Sequence, residues 1–588
     1  MRARLLTAAI ASVAVLAGCA TVPTQGPIRS GSQAGLAPVA AGVNVQANPP
    51  RPNMTPLVLV NAYLEAMWDS ANFNQARMYM TPDAAAAWKP ESKLSVYDQS
   101  SVTVVSLLPD GSVRLRAPLI GTIDNRGSWT PARQGAMVDV RFQLAEVDGQ
   151  KRVSNAPDGA YLGSNQFDAR LVARSLYFLT PDRATLVPDP VFLPINLPPG
   201  QIATQLVQEL LKGPTSRFGN GVVSAAPPGT QVNVSVPVEL STATVALSDA
   251  AQVLGANERK QLAAQIVWTL RTISPRVRIT VGGAPFIDQL PELSISDVSQ
   301  FDLASSGAAL KELYGVRNGK IQHIVGLDGA QDIASVPLDS SQLFGTYAQS
   351  LAVSLRGDAG AIVTKLHDAP VVQYALLDAS NRKDNPVTIK ADGKVLRPSY
   401  DYQENLWILD RADSGKPRLR VRDRDGKVTE VATDFGGDQP QDLRMAPDGV
   451  RALLRMKRPS GQIYVETATI QQTDSKRPKL GQFRDLQLPL ADITDVAWGQ
   501  NGILVAGRST LTSQGQPWQV NTDGSQYHLL PGASSEFDTK FIASTPNGDT
   551  FPVVQDTKGE LHWQLKDLGW RADEETSKAP PIMPVYPG

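Results

Sequence analysis

The 588-residue chain has one cysteine, Cys19, and four histidines. A single thiol excludes an intramolecular disulfide, so every fold in the chain must stand on its own core. The histidines, His323, His367, His528 and His562, are widely separated, with no pair at ligand spacing, and this argues against a zinc site of the common His/Cys type. Charge of one sign is missing too: 56 Lys and Arg against 57 Asp and Glu leave a formal net charge of -1. There is neither a basic field for nucleic acid nor an acidic tail, so no nucleic-acid partner is expected. No apolar run reaches the roughly 20 residues that a bilayer core requires. No GxSxG elbow, GxxxxGK[ST] loop or HExxH helix occurs. DRDG at Asp423 to Gly426 is out of EF-hand register, because the terminal glutamate would fall on Ala432. These absences favour a binding protein over an enzyme, with no catalytic residue, no cofactor and no metal expected.

What is present begins at the N-terminus. Arg2 and Arg4 precede an uncharged apolar stretch, Leu5 to Ala17, that is too short to span a membrane and reads as an export signal over residues 1–18. Leu16-Ala17-Gly18-Cys19 resembles the bacterial lipobox, which makes Cys19 the expected lipidation site, carrying a diacylglyceryl group and then an N-acyl chain. The bland alternatives are an ordinary signal peptide with an incidental cysteine and an uncleaved anchor. Residues 19–52 contain no aromatic residue and are rich in Ala, Gly, Pro, Ser and Gln, as expected of a flexible tether. Such a coil has an end-to-end distance of roughly 30 Å and would keep the first domain near the membrane.

Residues 53–165 read as an α+β domain. Thr55-Pro56 and Thr81-Pro82 are helix starts, each with a capping hydroxyl before a proline at the first helical position, and Leu57, Val60, Leu64 and Met67 follow at helical spacing. After Lys93 the pattern changes to strands, and the whole resembles small nuclear-transport-factor-like domains. A second α+β domain is expected over 166–305. SLYFLTPDRATLVPDPVFLP predicts a strand pair around a Pro-Asp turn, and NERKQLAAQIVWTL places Leu262, Ile266, Leu270 and Ile273 on one helical face with Asn257 as the N-cap. Trp268 on that helix is read as core. The order LLKGP, PPGT, TATVALS, QIVWTLRTI, VRITVGG is similar to the GerMN domain of cell-envelope lipoproteins.

Residues 306–588 read as an all-β propeller. Polar turns centred at Gly360, Asn405, Gly449, Gly502 and Gly548 each separate two apolar strands, at intervals of 45, 44, 53 and 46 residues. That spacing is the length of a four-stranded blade, so at least five blades are expected, with residues near GKIQHIVGLDG contributing to a sixth.

The full order of lipobox, tether, two α+β domains and propeller resembles the LpqB lipoprotein family of actinobacteria. The resemblance implies a non-enzymatic accessory lipoprotein, lipid-anchored on the extracytoplasmic face of the cell membrane. It also implies a protein partner, the extracytoplasmic domain of an MtrB-like sensor kinase in a two-component system tied to envelope homeostasis and division. Two other readings stay open: a module that binds a cell-wall ligand, and a propeller hydrolase or lyase built on carboxylates that converge on the channel.

Overall fold

The computed structural model describes residues 49–588 apart from 68–72, 101–102, 304–310, 326–333, 339–342, 344–345, 378–385, 473–476, 501, 510–511, 534–536, 547–549, 566–568 and 573–581. The export signal, Cys19 and all but the last residues of the tether therefore lie outside the described residues. Residues 46–588 form one compact unit. Among the described residues no helix is long and apolar enough to cross a membrane.

Three helices, α1 (Pro56–Ala66), α2 (Asn74–Met78) and α3 (Pro82–Ala87), precede a seven-stranded sheet. The sheet runs from Gln150–Asn155 through Met137–Val147, Val113–Asp124 and Lys93–Tyr97 to Ala160–Gly163, with two short strands attached to the long central one. Along Met137–Val147 burial alternates from residue to residue, as a sheet with one covered face requires. α1 buries Leu59, Val60, Tyr63 and Leu64, and Tyr63 meets Phe142 of the sheet edge-on at 5.7 Å. The two Thr-Pro starts differ. Thr81 accepts the Ala84 amide at 3.3 Å, whereas Thr55 makes no side-chain cap, and its helix is started by Pro56 alone.

α4 (Ser164–Arg170) leads into a two-stranded ribbon, Leu171–Leu179 with Leu186–Pro194, closed by the expected Pro-Asp turn. Two longer helices, α5 (Pro199–Leu211) and α6 (Ala256–Leu270), pack on the ribbon and on a four-stranded sheet. In that sheet Thr242–Leu247 pairs in parallel with Arg276–Val281, and α6 makes the crossover between them. The N-cap of α6 is Gly255 and not Asn257: the Glu258 carboxylate takes the Gly255 amide at 2.8 Å, which starts the helix before Asn257. Ile273 falls beyond the helix end, while Leu262, Ile266 and Leu270 are buried as expected. Gln265, fully buried, accepts from Ala225 N at 2.7 Å and donates to the Tyr177 carbonyl at 2.8 Å, so it clips α6 to the ribbon without an unpaired amide.

Among the described residues the rest is a propeller of six four-stranded sheets. Their innermost strands, Ile582–Val585, Ser350–Val353, Ser399–Tyr400, Gln439–Met445, Leu490–Gly499 and Thr539–Ala543, contact one another in a closed ring. We number the blades from the one that contains Leu313–Arg317. Blades 2 to 6 are each continuous in sequence, and the turns expected at Asn405, Gly449 and Gly502 connect the first strand of a blade to its second. In blade 2 the left-handed turn residue is Gly357 (φ 73), and Gly360 lies in the following strand. The turn at Gly548 lies outside the described residues. Blade 1 is different: Leu313–Arg317, Lys320–Val325 and Ala334–Pro337 are completed by Ile582–Val585, which pairs antiparallel with Leu313–Arg317 from the other end of the chain.

Candidate functional site

Three places in the described residues bring chemically active side chains together. The first is the propeller axis. Residues from all six inner strands line a small cavity there. At its wall Arg397 Nη2 lies 3.2 Å from Asp442 Oδ2 and 2.8 Å from Asp495 Oδ1, and Arg444 Nη2 lies 2.9 Å from the same Asp442 oxygen. Asp495 also accepts the Ile542 amide at 3.1 Å, so the group joins blades 4, 5 and 6. Burial, and then the Asp495 charge, push the Asp442 carboxyl up to about 7, against the pull of Arg397. The two arginines line the channel and the two carboxylates stand behind them, paired with those guanidiniums. The arrangement works as an ionic rivet between inner strands.

The second is a hairpin of blade 6, where Asp556, Glu560 and His562 approach within ligand distance of one another. His562 Nε2 stands 3.4 Å from Asp556 Oδ2, and its ring stacks on Phe537 at 4.5 Å. Asp556 Oδ1 already accepts the Lys558 and Glu560 amides at 3.0 and 2.8 Å, so this carboxylate shapes the turn. The other histidines stay apart from it; His323 pairs with Glu312 at 2.6 Å. The end of one strand (Asp556), the turn after it (Glu560) and the next strand (His562) carry this group, a spacing that a search for helical metal motifs passes over.

The third is the junction of the three regions, and its centre is Arg217. This buried guanidinium donates to Ser128 Oγ of the N-terminal region at 2.7 Å, stands 3.3 Å from Asp189 Oδ1 of the ribbon, and reaches 3.7 Å from Asp523 Oδ2 of blade 5. Asp189 is held from the other side by the Thr215 amide at 2.8 Å and the Thr215 hydroxyl at 3.0 Å. Burial pushes its carboxyl above the usual carboxylate range, with Arg217 and Thr215 opposing. Further bonds cross the junction: Arg126 to the Gly213 carbonyl at 2.6 Å, Gln526 to Asp168 at 3.0 Å, and Gln403 and the Tyr402 hydroxyl to Asp182. Sequence reading missed all of them.

One surface feature stands out beside these buried groups. At the tip of the hairpin Val238–Glu239 with Thr242–Leu247, Leu240 and Ser241 both have positive φ, 46° and 64°. Such a turn is normally made by Asn-Gly. Here it carries a leucine that is 94% exposed, fixed from behind by Ser274 Oγ to the Ser241 carbonyl at 2.8 Å.

Comparison with known proteins adds the following. Three family models match: "Lipoprotein LpqB, N-terminal domain" over residues 49–168, "Sporulation and spore germination" over 175–286, and "Lipoprotein LpqB beta-propeller domain" over 329–587. Lipoprotein LpqB of Thermobifida fusca is 28% identical and covers 98% of this chain and 97% of the relative. That of Mycolicibacterium smegmatis is 28% identical and covers 100% of both. Among solved structures, TolB from Acinetobacter baumannii aligns with 57% of this chain and 86% of its own, at 13% identity and a TM-score of 0.34.

Proposed function

The chain belongs to the LpqB lipoprotein family, and from that membership we propose an accessory lipoprotein, held on the outer face of the plasma membrane through Cys19, that binds the extracytoplasmic domain of an MtrB-type sensor kinase and modulates its output. The domain limits 53–165, 166–305 and 306–588 belong to the same reading, and α4 bridges the first of them. A non-enzymatic role is part of this reading, supported by the arginines that line the propeller axis and hold Asp442 and Asp495 in ion pairs behind it.

The observation that carries a partner-binding role is Leu240. A large apolar side chain almost wholly in water, on a backbone that disfavours it, has no use in the isolated fold. A partner that buries it recovers about 2 kcal/mol of transfer free energy from that residue. Anchoring to the kinase's own membrane raises the effective concentration of the two proteins, so a modest interface suffices. The Arg217 junction supports the same role, because it lets the three regions move as one body when one of them docks.

The test is crosslinking in intact cells followed by purification of the anchored chain, with kinase phosphorylation measured in parallel. The kinase is expected among the crosslinked partners, deletion of the chain is expected to change its phosphorylation, and Leu240→Asp is expected to weaken capture without lowering the unfolding midpoint. Capture of cell-wall fragments in place of any kinase, with phosphorylation unchanged by deletion, would replace this reading with the wall-binding one.

A further inference from the structure

Val553–Asp556 and Leu561–Gln564 are the two strands of the blade 6 hairpin, and His562 pairs across it with Val554. Val554 and Asp556 lie two positions apart on one strand, so His562 and Asp556 stand on the same face of the blade. Thr539, in the first strand of the blade, is the cross-strand partner of Asp556 and joins that face. Glu560 ends the connecting turn. Three strands and a turn thus bring together an imidazole, two carboxylates and a hydroxyl. The ligand atoms of Asp556, Glu560 and His562 all lie within 4.8 Å of one another.

The contacts within this group do not close on themselves. Asp556 divides its oxygens: Oδ1 takes the Lys558 and Glu560 amides at 3.0 and 2.8 Å, while Oδ2 faces His562 Nε2 at 3.4 Å. A direct N–H···O bond is shorter, about 2.7–3.2 Å, and the His323–Glu312 pair shows one at 2.6 Å. Glu560 Oε2 stands 4.0 Å from the same His562 nitrogen. Ligands held tetrahedrally by zinc, at about 2.0–2.2 Å from the ion, are roughly 3.4 Å from each other. His562 and Asp556 already have that spacing, and Glu560, with a side chain 32% exposed, reaches it by a small rotation. Phe537, stacked on buried His562 at 4.5 Å, holds the plane of the imidazole. The Thr539 hydroxyl on this face is buried and has no hydrogen-bond partner among the described residues. A water carried by a metal ion supplies one.

We propose that Asp556, Glu560 and His562 form a binding site for a divalent cation of the zinc class, with water in the fourth position. One imidazole nitrogen and two carboxylates suit zinc and its transition-metal neighbours better than calcium, which takes about 6–8 oxygens. The spacing of the histidines argued against zinc because it looked for two of them; here carboxylates supply the remaining ligands. This site is independent of the kinase reading. Gln555, next to Asp556, donates to the Ile582 carbonyl at 2.6 Å, so a cation that stiffens the hairpin also steadies the strand that closes the ring.

The experiment uses residues 20–588, which keep every described residue and lack the thiol, titrated calorimetrically with zinc chloride and, separately, with calcium chloride. One equivalent of zinc is expected to bind and to raise the unfolding midpoint, an increase that EDTA reverses. Calcium is expected to bind at least about tenfold more weakly. His562→Gln is expected to abolish zinc binding, and His323→Gln to leave it unchanged. Because His562 is buried, the partly exposed Glu560 provides the variant that keeps the fold: Glu560→Gln is expected to weaken zinc binding about tenfold or more, with the metal-free midpoint unchanged. No zinc bound up to millimolar concentration, calcium bound as tightly as zinc, or zinc affinity unchanged in Glu560→Gln would each overturn the proposal.

Discussion

Arg217 and Asp523 meet at 3.7 Å across the interface between the middle region and blade 5, while the same guanidinium holds fully buried Asp189 at 3.3 Å. Arg217→Met leaves Asp189 buried without its ion-pair partner and is expected to cost about 3–5 kcal/mol, the usual penalty for removing one partner of a buried pair. Asp523→Asn keeps the Arg217–Asp189 pair and is expected to cost nearer 1 kcal/mol. Denaturant unfolding of both variants checks the order. Equal losses would mean that the interface pair, and not Asp189, carries the energy.

The second prediction concerns pH. Burial, together with the charges of Asp485 and Asp438, pushes the Glu466 carboxyl up to about 8. A carboxyl raised on folding favours the native state below its unfolded value near 4.5, and that contribution is lost as pH rises through about 8. Glu404 and Asp442, both raised to about 7, act in the same direction. Glu466→Gln is therefore expected to leave the midpoint unchanged at pH 5 and to stabilise the protein by roughly 3 kcal/mol at pH 9. Thermal unfolding across that range reads the effect, and a variant whose profile parallels the parent's would refute it.

Gly502 sits at φ 141°, and an added Cβ would come 2.3 Å from the Val520 carbonyl oxygen, so backbone would have to give way. Gly502→Ala is expected to cost roughly 3 kcal/mol or more. Gly461 at φ 92° has nothing within 4 Å, and its alanine variant is expected to lose only the strain, about 1–2 kcal/mol. Comparing the two unfolding midpoints separates clash from conformation.

Removing residues 582–588 takes the fourth strand from blade 1 and bares the edge of Leu313–Arg317. The shortened chain is expected to lose cooperative unfolding of the propeller and to self-associate, as unpaired edges do. Sedimentation and a calorimetric scan check this; a monomer with an unchanged transition would contradict the ring closure.

Cys19→Ala is expected to abolish incorporation of a fatty-acid label and to release the chain from membranes, because it removes the only thiol and with it the two-chain attachment that stable anchoring needs. Label retained by the variant would rule out Cys19 as the lipidated residue.

Periodic features were legible in the sequence. The propeller announced itself because Asn405, Gly449 and Gly502 recur at the same place in successive blades, and α6 because its apolar face repeats at helical spacing. Blade 1 broke the pattern, since one of its four strands, Ile582–Val585, lies at the far end of the chain and leaves no interval to count. The site groups were harder to read. Arg217 stands in a short turn with no periodicity, and Ser128, Asp189 and Asp523 acquire meaning only when three regions converge on it. The axial arginines and aspartates look like ordinary strand residues for the same reason. Helix starts failed by two residues at Asn257 and by a bond at Thr55, because a carboxylate at the third helical position or a proline ring can do the work that sequence assigns to the cap.

The split blade also bears on how the chain is made. The N-terminal sheet is drawn from a contiguous stretch, 93–163, and needs nothing from the rest of the chain to complete its pairing. Blade 1 does, since Leu313–Arg317 waits for Ile582–Val585. Until that strand arrives the propeller is an unfinished arc with an unpaired edge. Docking of Ile582–Val585 therefore sets the moment at which the ring closes, and a chain held up before that point is an aggregation-prone intermediate.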